Sequence, residues 1–349
     1  DGTFSATVYV AVGKTPESAA RQLDAALADG YDVILRRTRE YWRQWLGAAR
    51  LPGRDNVDAA GLASQCLLTL ALATDADTGA VVESPVTCPP AAIDRPRDGI
   101  WSIMAYDLVG LHEKAGQHLD FYLNAVRTDY RSGCPLGSLP EALYTNGDEA
   151  SPELLVDLEG AARTLWVAGW HAEQLEVDKR VDFWAGCWPR FERLADFVSG
   201  WKDQRDSMPF PAFDSSRWRD ASTTDLLLVV HAGVSAAVQA AGLLGKDRPQ
   251  WEERLTELQT LVLLRCVSAT GTWNHGRVGL FRPEQLVPDN DPGWIRLLND
   301  RVKELPDLQG RDAVQALFEL AVAWQDDETG RNLLRPHVIP VVRRVLASG

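Results

Sequence analysis

The feature that most constrains the fold is a series of helical patterns whose connecting loops alternate between long and short. The helical spans cover residues 57–75, 98–111, 113–127, 153–175, 186–203, 223–243, 248–267, 293–303, 311–325 and 329–347. The long loops, rich in Gly, Pro, Asp and Trp, are 79–96, 133–151, 207–222 and 271–292. Long loops in a compact domain usually carry function. Helix pairs whose long loops share one side predict an all-α fold of the α/α-toroid type. Ten helices leave roughly one pair missing from a six-pair barrel, so we expect an incomplete one.

Composition narrows the class of protein further. The 349 residues can bury a large core, arranged as one large domain or two. A formal net charge of −13 argues against a nucleic-acid partner and favours a neutral or cationic ligand. No uninterrupted apolar run approaches ~18 residues, so no membrane span is predicted. The five cysteines and six histidines show neither paired nor metal-ligand spacing. We therefore expect no metal and no disulfide framework, and a reduced cytoplasmic setting.

The N-terminal part of the chain differs from the rest. Thr3–Val12 alternates and is rich in Val and Thr, which predicts a short strand. Helices are expected from about Thr15 and over Tyr31–Leu46. We therefore divide the chain into an N-terminal segment, 1–52, and a helical domain, 53–349. The sequence begins with neither Met nor a signal peptide, so we expect it to be processed or excerpted.

The segment from Pro85 to Ala115 carries the strongest functional signal. Arg97 and Asp98 lie where a Pro-rich loop turns into an amphipathic helix, whose free backbone N–H groups can hold a polar ligand. An arginine fork beside a carboxylate suits adjacent sugar hydroxyls, because donors and acceptors alternate there. The pair predicts a sugar-binding site. An ordinary salt bridge that caps a buried helix is the alternative that stays open.

The thirteen tryptophans are a second signal, because a flat indole stacks on the apolar face of a pyranose ring. We expect about two-thirds of them to be core residues, since Trp is highly buried on average. Those that remain candidates for a sugar-lined cleft are Trp101, Trp170, Trp184, Trp188, Trp218, Trp273 and Trp294.

The chain resembles glycoside hydrolase family 15, the glucoamylase-like enzymes. The family's first barrel loop carries a W-P-R-D-type motif before a helix; here residues 95–98 read R-P-R-D, with Arg95 at the aromatic position. The helix around Glu159, the stretch Ser222–Leu244 and the C-terminal Gly310–Val345 are similar to family segments in the same order. The N-terminal strand and linker helices resemble the end of the family's β-sandwich domain. The resemblance therefore implies a six-hairpin-glycosidase-like barrel, truncated at both ends.

The resemblance also implies an activity. The family hydrolyses an α-glucosidic or related glycosidic bond from a non-reducing end, with inversion, so the substrate would be an oligosaccharide or glycoside. No metal or cofactor would be needed. The residues that would bind the sugar are Arg97, Asp98, Trp101, Glu159 and Trp218.

Inversion needs two carboxyl groups facing each other, ~6.5–9.5 Å apart. By the resemblance, either Asp214 replaces the family's catalytic Glu, or Trp218-Arg219-Asp220 replaces Trp-Glu-Glu and leaves no acid. For the base, Glu284 stands in a P-E-Q sequence like that of the family, but it precedes the C-terminal match. Either Glu284 has been recruited, or the chain stops before the base. The structural alternatives are a turn residue for Asp214 and a solvent-facing loop residue for Glu284.

Two other functions stay open. One is a carbohydrate-binding or scaffold protein on the same toroid that has lost the catalytic carboxyl pair. The other is a piece of a longer enzyme whose base lies elsewhere. The final helix is apolar along much of its length. We therefore expect it either to close against residues 57–72 or to be covered by another chain or a missing segment, because large exposed apolar patches are rare.

Overall fold

The computed structural model describes residues 6–52, 57–84, 92–129, 134–150, 156–210, 223–273, 290–323 and 328–348. Within these residues the chain forms twelve helices and one antiparallel pair of short strands, which confirms the all-α prediction. The helices are α1 Pro16–Asp29, α2 Tyr31–Gly47, α3 Val57–Ala73, α4 Pro96–Leu108, α5 His112–Asn124, α6 Leu158–Gln174, α7 Val177–Gly200, α8 Thr223–Leu243, α9 Pro249–Cys266, α10 Pro292–Glu304, α11 Gly310–Ala323 and α12 Glu328–Ser348. The strands are β1 Ile93–Asp94 and β2 Leu143–Tyr144, with Ile93 opposite Tyr144.

Most helix boundaries agree with the sequence prediction to within a few residues, and α8 agrees at both ends. Two helices start elsewhere. α6 begins at Leu158 rather than 153, because Asp157 has an extended backbone and precedes the helix. α7 begins at Val177 rather than 186 and continues through Pro189. A proline inside a helix removes one backbone donor, but the buried Trp188 and Phe191 beside it hold this helix against the core.

The N-terminal strand prediction is wrong where the structure describes the segment. Residues 6–12 are irregular, and Val8, Val10 and Val12 are exposed by 83%, 84% and 80%. A strand needs a partner for its backbone donors and acceptors, and alternation of residue types cannot supply one. Residues 3–5 lie outside the described residues.

The chain divides into two compact units, Asp1–Leu68 with Val109–Leu111, and Thr69–Leu108 with His112–Gly349. In the first unit α1 packs on α2. Helix α1 begins with a capping box between Thr15 and Ser18. The predicted domain boundary between residues 52 and 53 stays a prediction.

The second unit is built around a central row of three helices. α6 packs against α4 on one side and α8 on the other, and α5, α7 and α9 form a second layer against this row. Glycines bring α6 and α8 close together: a Cβ at Gly233 would lie 2.6 Å from the Ala162 carbonyl oxygen, and one at Gly169 would lie 3.1 Å from the Ala236 Cβ. Because these contact positions advance together along both helices, α6 and α8 run in the same direction.

Helix α8 has the composition of a membrane span but the surroundings of a core helix. Thr224–Leu243 is long and apolar enough to cross a membrane, and it is the one such stretch in the described part of the chain. However, 61% of its most apolar window is buried inside the protein. Burial also lowers the pKa of His231, on this helix, to about 4, so its imidazole is neutral at neutral pH. Packing against α6, α7 and α9 therefore accounts for the composition of α8.

The final helix, α12, packs against α11. It buries Leu334 and Val341, while Val338, Ile339 and Val342 are half-buried. The apolar side of α12 is thus partly covered within its own unit. That a second chain or a further segment covers the remainder stays a prediction.

Several of the tryptophans expected at a sugar cleft belong to the core instead. Trp184, Trp188, Trp273 and Trp294 are exposed by 3%, 7%, 2% and 3%. The Trp273 and Trp294 rings meet edge-on with centroids 5.9 Å apart, and Trp188 lies 5.9 Å from Trp251. The cleft prediction is wrong for these four residues, because side chains this deeply buried have no ring face exposed for a sugar to stack on.

Candidate functional site

A cavity of about 860 Å³ opens in the second unit beside the end of α3, the start of α4 and one face of α11. Part of its wall is apolar and includes Leu70, Val82, Trp101, Val314 and Phe318. Another part is polar and includes Glu83, Asp94, Arg95, Asp98 and Gln315. Mostly apolar cavities of this size with a few polar groups are the usual form of small-molecule sites.

Asp98 and Trp101 share one face of α4, because residues three apart on a helix are neighbours, and this face lines the cavity. The Trp101 ring meets the Phe318 ring edge-on, with centroids 4.9 Å apart. This contact links α4 to α11 along the cavity wall. The structure thus brings together two of the residues predicted to bind sugar, and their roles stay predictions.

Arg97 points away from Asp98, since consecutive helical residues are turned by about 100°. Its Nε and Nη2 donate to the two carboxylate oxygens of Asp157 over 3.1 and 2.9 Å. The Arg97 side chain is 14% exposed and that of Asp157 is 1% exposed. Arg97 therefore joins the start of α4 to the start of α6 and lies outside the described lining of the cavity. For Arg97 the contact is therefore a salt bridge at the start of a helix, which is the structural alternative to a sugar-binding role.

Glu159 extends the same junction. It accepts a hydrogen bond from Arg163 over 2.5 Å, and its other carboxylate oxygen is 3.7 Å from Arg97 Nε. Arg163 also donates to the backbone carbonyl of Arg97 over 3.2 Å. The predicted sugar ligand Glu159 is therefore held by two arginines. The junction fixes the first turn of α4, and with it the position of Asp98.

Beneath the cavity, Asp94 anchors a buried polar cluster. Its carboxylate accepts hydrogen bonds from the Val81 backbone N–H over 2.7 Å, from His118 Nε2 over 2.8 Å, and from the Tyr122 hydroxyl. Because a carboxylate can only accept, His118 Nε2 is the donor in its bond to Asp94. Burial, reinforced by the Asp94 charge, raises the pKa of Tyr122 well above its ordinary value. Tyr122 therefore remains a hydrogen-bond donor at neutral pH.

Gly99 allows this cluster to reach α4. A Cβ at Gly99 would lie 1.6 Å from Tyr122 Oη and 3.0 Å from Asp94 Oδ1. We expect Gly99→Ala to lower the free energy of unfolding by roughly 3 kcal/mol, because the methyl group cannot fit without moving buried groups. Denaturant unfolding of the purified variant measures the loss.

A matched control for Gly99→Ala is Gly186→Ala in α7, where an added Cβ would have no atom within 4 Å. Alanine there should leave stability unchanged or raise it by up to about 1 kcal/mol, since glycine costs backbone entropy in a helix. Equal stability of the two variants would show that the Tyr122 hydroxyl does not limit the space at Gly99.

On the opposite wall, Gln315 and Glu319 lie one turn apart on α11. Gln315 lines the cavity, and its Nε2 donates to Glu319 Oε1 over 2.8 Å. Glu319 is 7% exposed. Burial raises its pKa above the ordinary value, and the Gln315 hydrogen bond, Arg301 and Arg163 act in the other direction. Glu319 is thus a buried carboxyl group directly behind a cavity-lining amide.

A second buried carboxylate links the other ends of the central helices. Asp107 accepts hydrogen bonds from His112 Nδ1 and His171 Nδ1, each over 2.9 Å. These contacts join α4, α5 and α6 within the second unit. No group of three or more His, Cys, Asp or Glu suited to a metal occurs in the described part of the chain.

Three of the predicted site residues cannot be placed. Asp214, Trp218 and Glu284 lie outside the described residues, in 211–222 and 274–289. Asp214 precedes α8 in the sequence and Glu284 precedes α10. Their predicted catalytic and binding roles therefore remain proposals.

Much of what surrounds the cavity is not apparent from the amino-acid sequence. The residues concerned are Asp94, His118, Tyr122, Asp157, Gln315 and Glu319. Helical spacing offered a partial signal, since His118 and Tyr122, like Gln315 and Glu319, lie four residues apart. Nothing local indicated that Asp94 joins the first pair, or that Asp157 meets Arg97.

No protein-family model matches the sequence, and no curated protein matches it. Solved structures do match. A glycosidase variant in complex with glucose shares 17% identity at a TM-score of 0.59, over 81% of this chain and 82% of its own. The family 63 mannosylglycerate hydrolase from Thermus thermophilus, in complex with glucose, shares 11% identity at 0.56, over 81% and 92%. Cellobiose 2-epimerase from Spirochaeta thermophila shares 15% identity at 0.50, over 81% and 83%.

These similarities define the class of fold. The chain has the α/α-toroid fold of the glycosidases it matches, which confirms the predicted fold class. Membership in glycoside hydrolase family 15 is not confirmed, because no family model matches the sequence and the identity of the similar structures to this chain is low.

Proposed function

We propose that this chain processes a glycoside, as a hydrolase of an α-glucosidic or related glycosidic bond. The observation that carries the proposal is the cavity on this toroid fold in which Trp101 stands beside Asp98. An indole ring offers a stacking surface for a pyranose, and a carboxylate accepts the hydrogens of its hydroxyls. Similar folds that hold glucose in their solved structures support the same ligand class.

The catalytic step we propose is inversion by two carboxyl groups. Asp214 would protonate the leaving oxygen as general acid, and Glu284 would activate the attacking water as general base. Asp214 belongs to the segment that leads into α8, and α8 runs in the same direction as α6 beside it. The start of α6 is itself joined to the start of α4 by the Arg97–Asp157 pair. The described start of α8 therefore lies at the same end of the unit as the starts of α6 and α4, and this supports the choice of an acid from the sequence that precedes α8.

Turnover of a glycoside panel tests the proposal. The purified chain is incubated with maltose, cellobiose and neutral aryl glucosides, and proton NMR follows the anomer formed first. Inversion predicts β-glucose as the first product from an α-linkage. Binding without turnover would contradict the hydrolase proposal and favour the carbohydrate-binding alternative. An epimerised disaccharide would indicate a different reaction on the same fold.

The charge of the cavity predicts discrimination against acidic sugars. Its described lining includes the carboxylates of Glu83, Asp94 and Asp98, and one cation, Arg95, which is paired with Glu83. We expect glucuronate to bind at least about tenfold more weakly than glucose, because each ~1.4 kcal/mol of repulsion is tenfold in affinity.

Calorimetric titration at low and high salt measures this difference in affinity. Asp98→Asn should reduce the difference in affinity between glucose and glucuronate, because it removes one negative charge. Added salt should reduce this difference as well. Equal affinity of the unmodified chain for both sugars would contradict the assignment of this cavity as a site for neutral sugars.

A further inference from the structure

We propose that α11 supplies a specificity-determining contact of this site: the Gln315 amide oxygen accepts a hydroxyl hydrogen of an uncharged sugar, and Glu319 fixes the amide in that orientation. The inference rests on the proposed function and adds to it a binding residue and a positioning residue. Neither is suggested by the family resemblance, which places the sugar contacts on α4, α6 and the loops.

The placement of α11 is the first support for this contact. Gln315 and Phe318 are three residues apart and both line the cavity, so one face of α11 forms its wall. The edge-on contact between Phe318 and Trp101 sets this face beside the Asp98 face of α4. A sugar that stacks on Trp101 would therefore lie within reach of side chains from both helices.

The orientation of the Gln315 amide follows from hydrogen-bond chemistry. Gln315 Nε2 donates to Glu319 Oε1 over 2.8 Å. Glu319 Oε1 is the acceptor in this bond, so the amide nitrogen and not the amide oxygen of Gln315 faces Glu319. Because Glu319 holds the amide nitrogen, the Gln315 amide oxygen is directed away from Glu319 and can accept a hydroxyl hydrogen from a ligand. Glu319 is itself buried, so its side chain has little freedom to move.

The ligand class follows from the balance of donors and acceptors. Asp98 contributes a carboxylate to the cavity, and the Gln315 oxygen adds a neutral acceptor, while Glu83, which is paired with Arg95, and the buried Asp94 add negative charge to the wall. Hydroxyl groups donate to such acceptors, whereas carboxylate or phosphate substituents would meet like charge or bare lone pairs. An uncharged hydroxylated ring is therefore the ligand that this wall suits.

The test is calorimetric titration of glucose and of its monodeoxy analogues into the full chain. Gln315→Leu puts a branched apolar side chain in place of the amide and removes the acceptor, so glucose should bind about tenfold more weakly, as expected for one neutral hydrogen bond. For the one deoxy analogue that lacks the accepted hydroxyl, Gln315→Leu and the unmodified chain should bind equally. A merely structural role of Gln315 would weaken every analogue alike.

Glu319→Gln tests the positioning role. An amide at 319 can pair with either end of the Gln315 amide, so about half of the molecules would present the wrong group and glucose affinity would fall about twofold. Gln239→Leu, on the exposed side of α8 and outside the described lining of the cavity, is the matched control and should bind glucose like the unmodified chain.

Each result decides the matter. Selective loss in Gln315→Leu with the deoxy pattern above supports the inference. If glucose binding is weakened by Asp98→Asn but not by Gln315→Leu, the inference is overturned while the proposed function stands. If the unmodified chain binds no glucose, the inference is overturned whatever the glycoside panel shows, and turnover of that panel alone then decides the proposed function.

Discussion

Asp214→Asn should lower the turnover of an alkyl glucoside by a factor of about 10²–10⁴, because that is the usual contribution of a general acid. An alkoxide leaves poorly unless it is protonated. The loss should therefore fall on turnover, while the dissociation constant of the substrate changes little. Steady-state kinetics with a parallel binding titration separates the two quantities.

The leaving group distinguishes the acid from the base. A dinitrophenyl glucoside needs no protonation to depart, so Asp214→Asn should cleave it at a rate near that of the unmodified chain. Glu284→Gln should instead slow both substrates, since each requires an activated water. Asp220→Asn is the matched control, because it removes a neighbouring carboxylate that neither proposed role uses. If Asp220→Asn is as impaired as Asp214→Asn, the assignment of the acid is wrong.

The helices could be predicted from sequence because their signals are local. Apolar periodicity, proline at a first turn and glycine at an end act over a few residues, and α8 was located at both ends by such signals. The pairing of Asp98 with Trp101 on one face also follows from local geometry, since they are three residues apart. Toroid topology came from a similarly visible pattern, the alternation of long and short loops.

The side-chain clusters around the cavity could not be predicted, because they join residues that are distant in sequence. Asp94 meets His118 and Tyr122 across 24 and 28 positions, and Arg97 meets Asp157 across 60. Nothing in the sequence around Arg97 distinguishes a guanidinium that binds sugar from one that binds a neighbouring helix. The cleft prediction for the buried tryptophans is wrong for the same reason, because an indole ring packs in a core as readily as it stacks on a sugar.

The strand prediction at the N-terminus is wrong because the described segment pairs with no other strand, although its local pattern is that of a strand. Val8, Val10 and Val12 alternate as a strand would, but the backbone of 6–12 forms no ladder among the described residues. Local propensity decides a helix more readily than a strand, since a helix satisfies its own backbone hydrogen bonds.

Asp157→Ala should be the most destabilising substitution at the junction of α4 and α6, lowering the free energy of unfolding by roughly 3 kcal/mol. The change leaves the guanidinium of Arg97, only 14% exposed, without its bidentate partner. The Glu159 carboxylate, whose Oε2 lies 3.7 Å from Arg97 Nε, partly compensates the guanidinium charge. We therefore place the loss of stability at the lower end of the range for broken buried ion pairs. The Asp157 carboxylate makes no capping bond to the described backbone of α6, so loss of a helix cap does not contribute.

Two further variants distinguish the contribution of the Arg97–Asp157 ion pair from that of the packing around it. Asp300→Ala removes the partner of Lys303 in an exposed pair, with side chains 55% and 74% exposed, and should cost less than about 1 kcal/mol. The double variant Arg97→Met with Asp157→Leu removes both charges and should be more stable than Asp157→Ala alone, because no largely buried charge is left without the bidentate partner it has in the unmodified chain. Urea unfolding of all three measures these differences. A double variant no more stable than Asp157→Ala would mean that packing of the Asp157 side chain, rather than the stranded charge of Arg97, accounts for the loss.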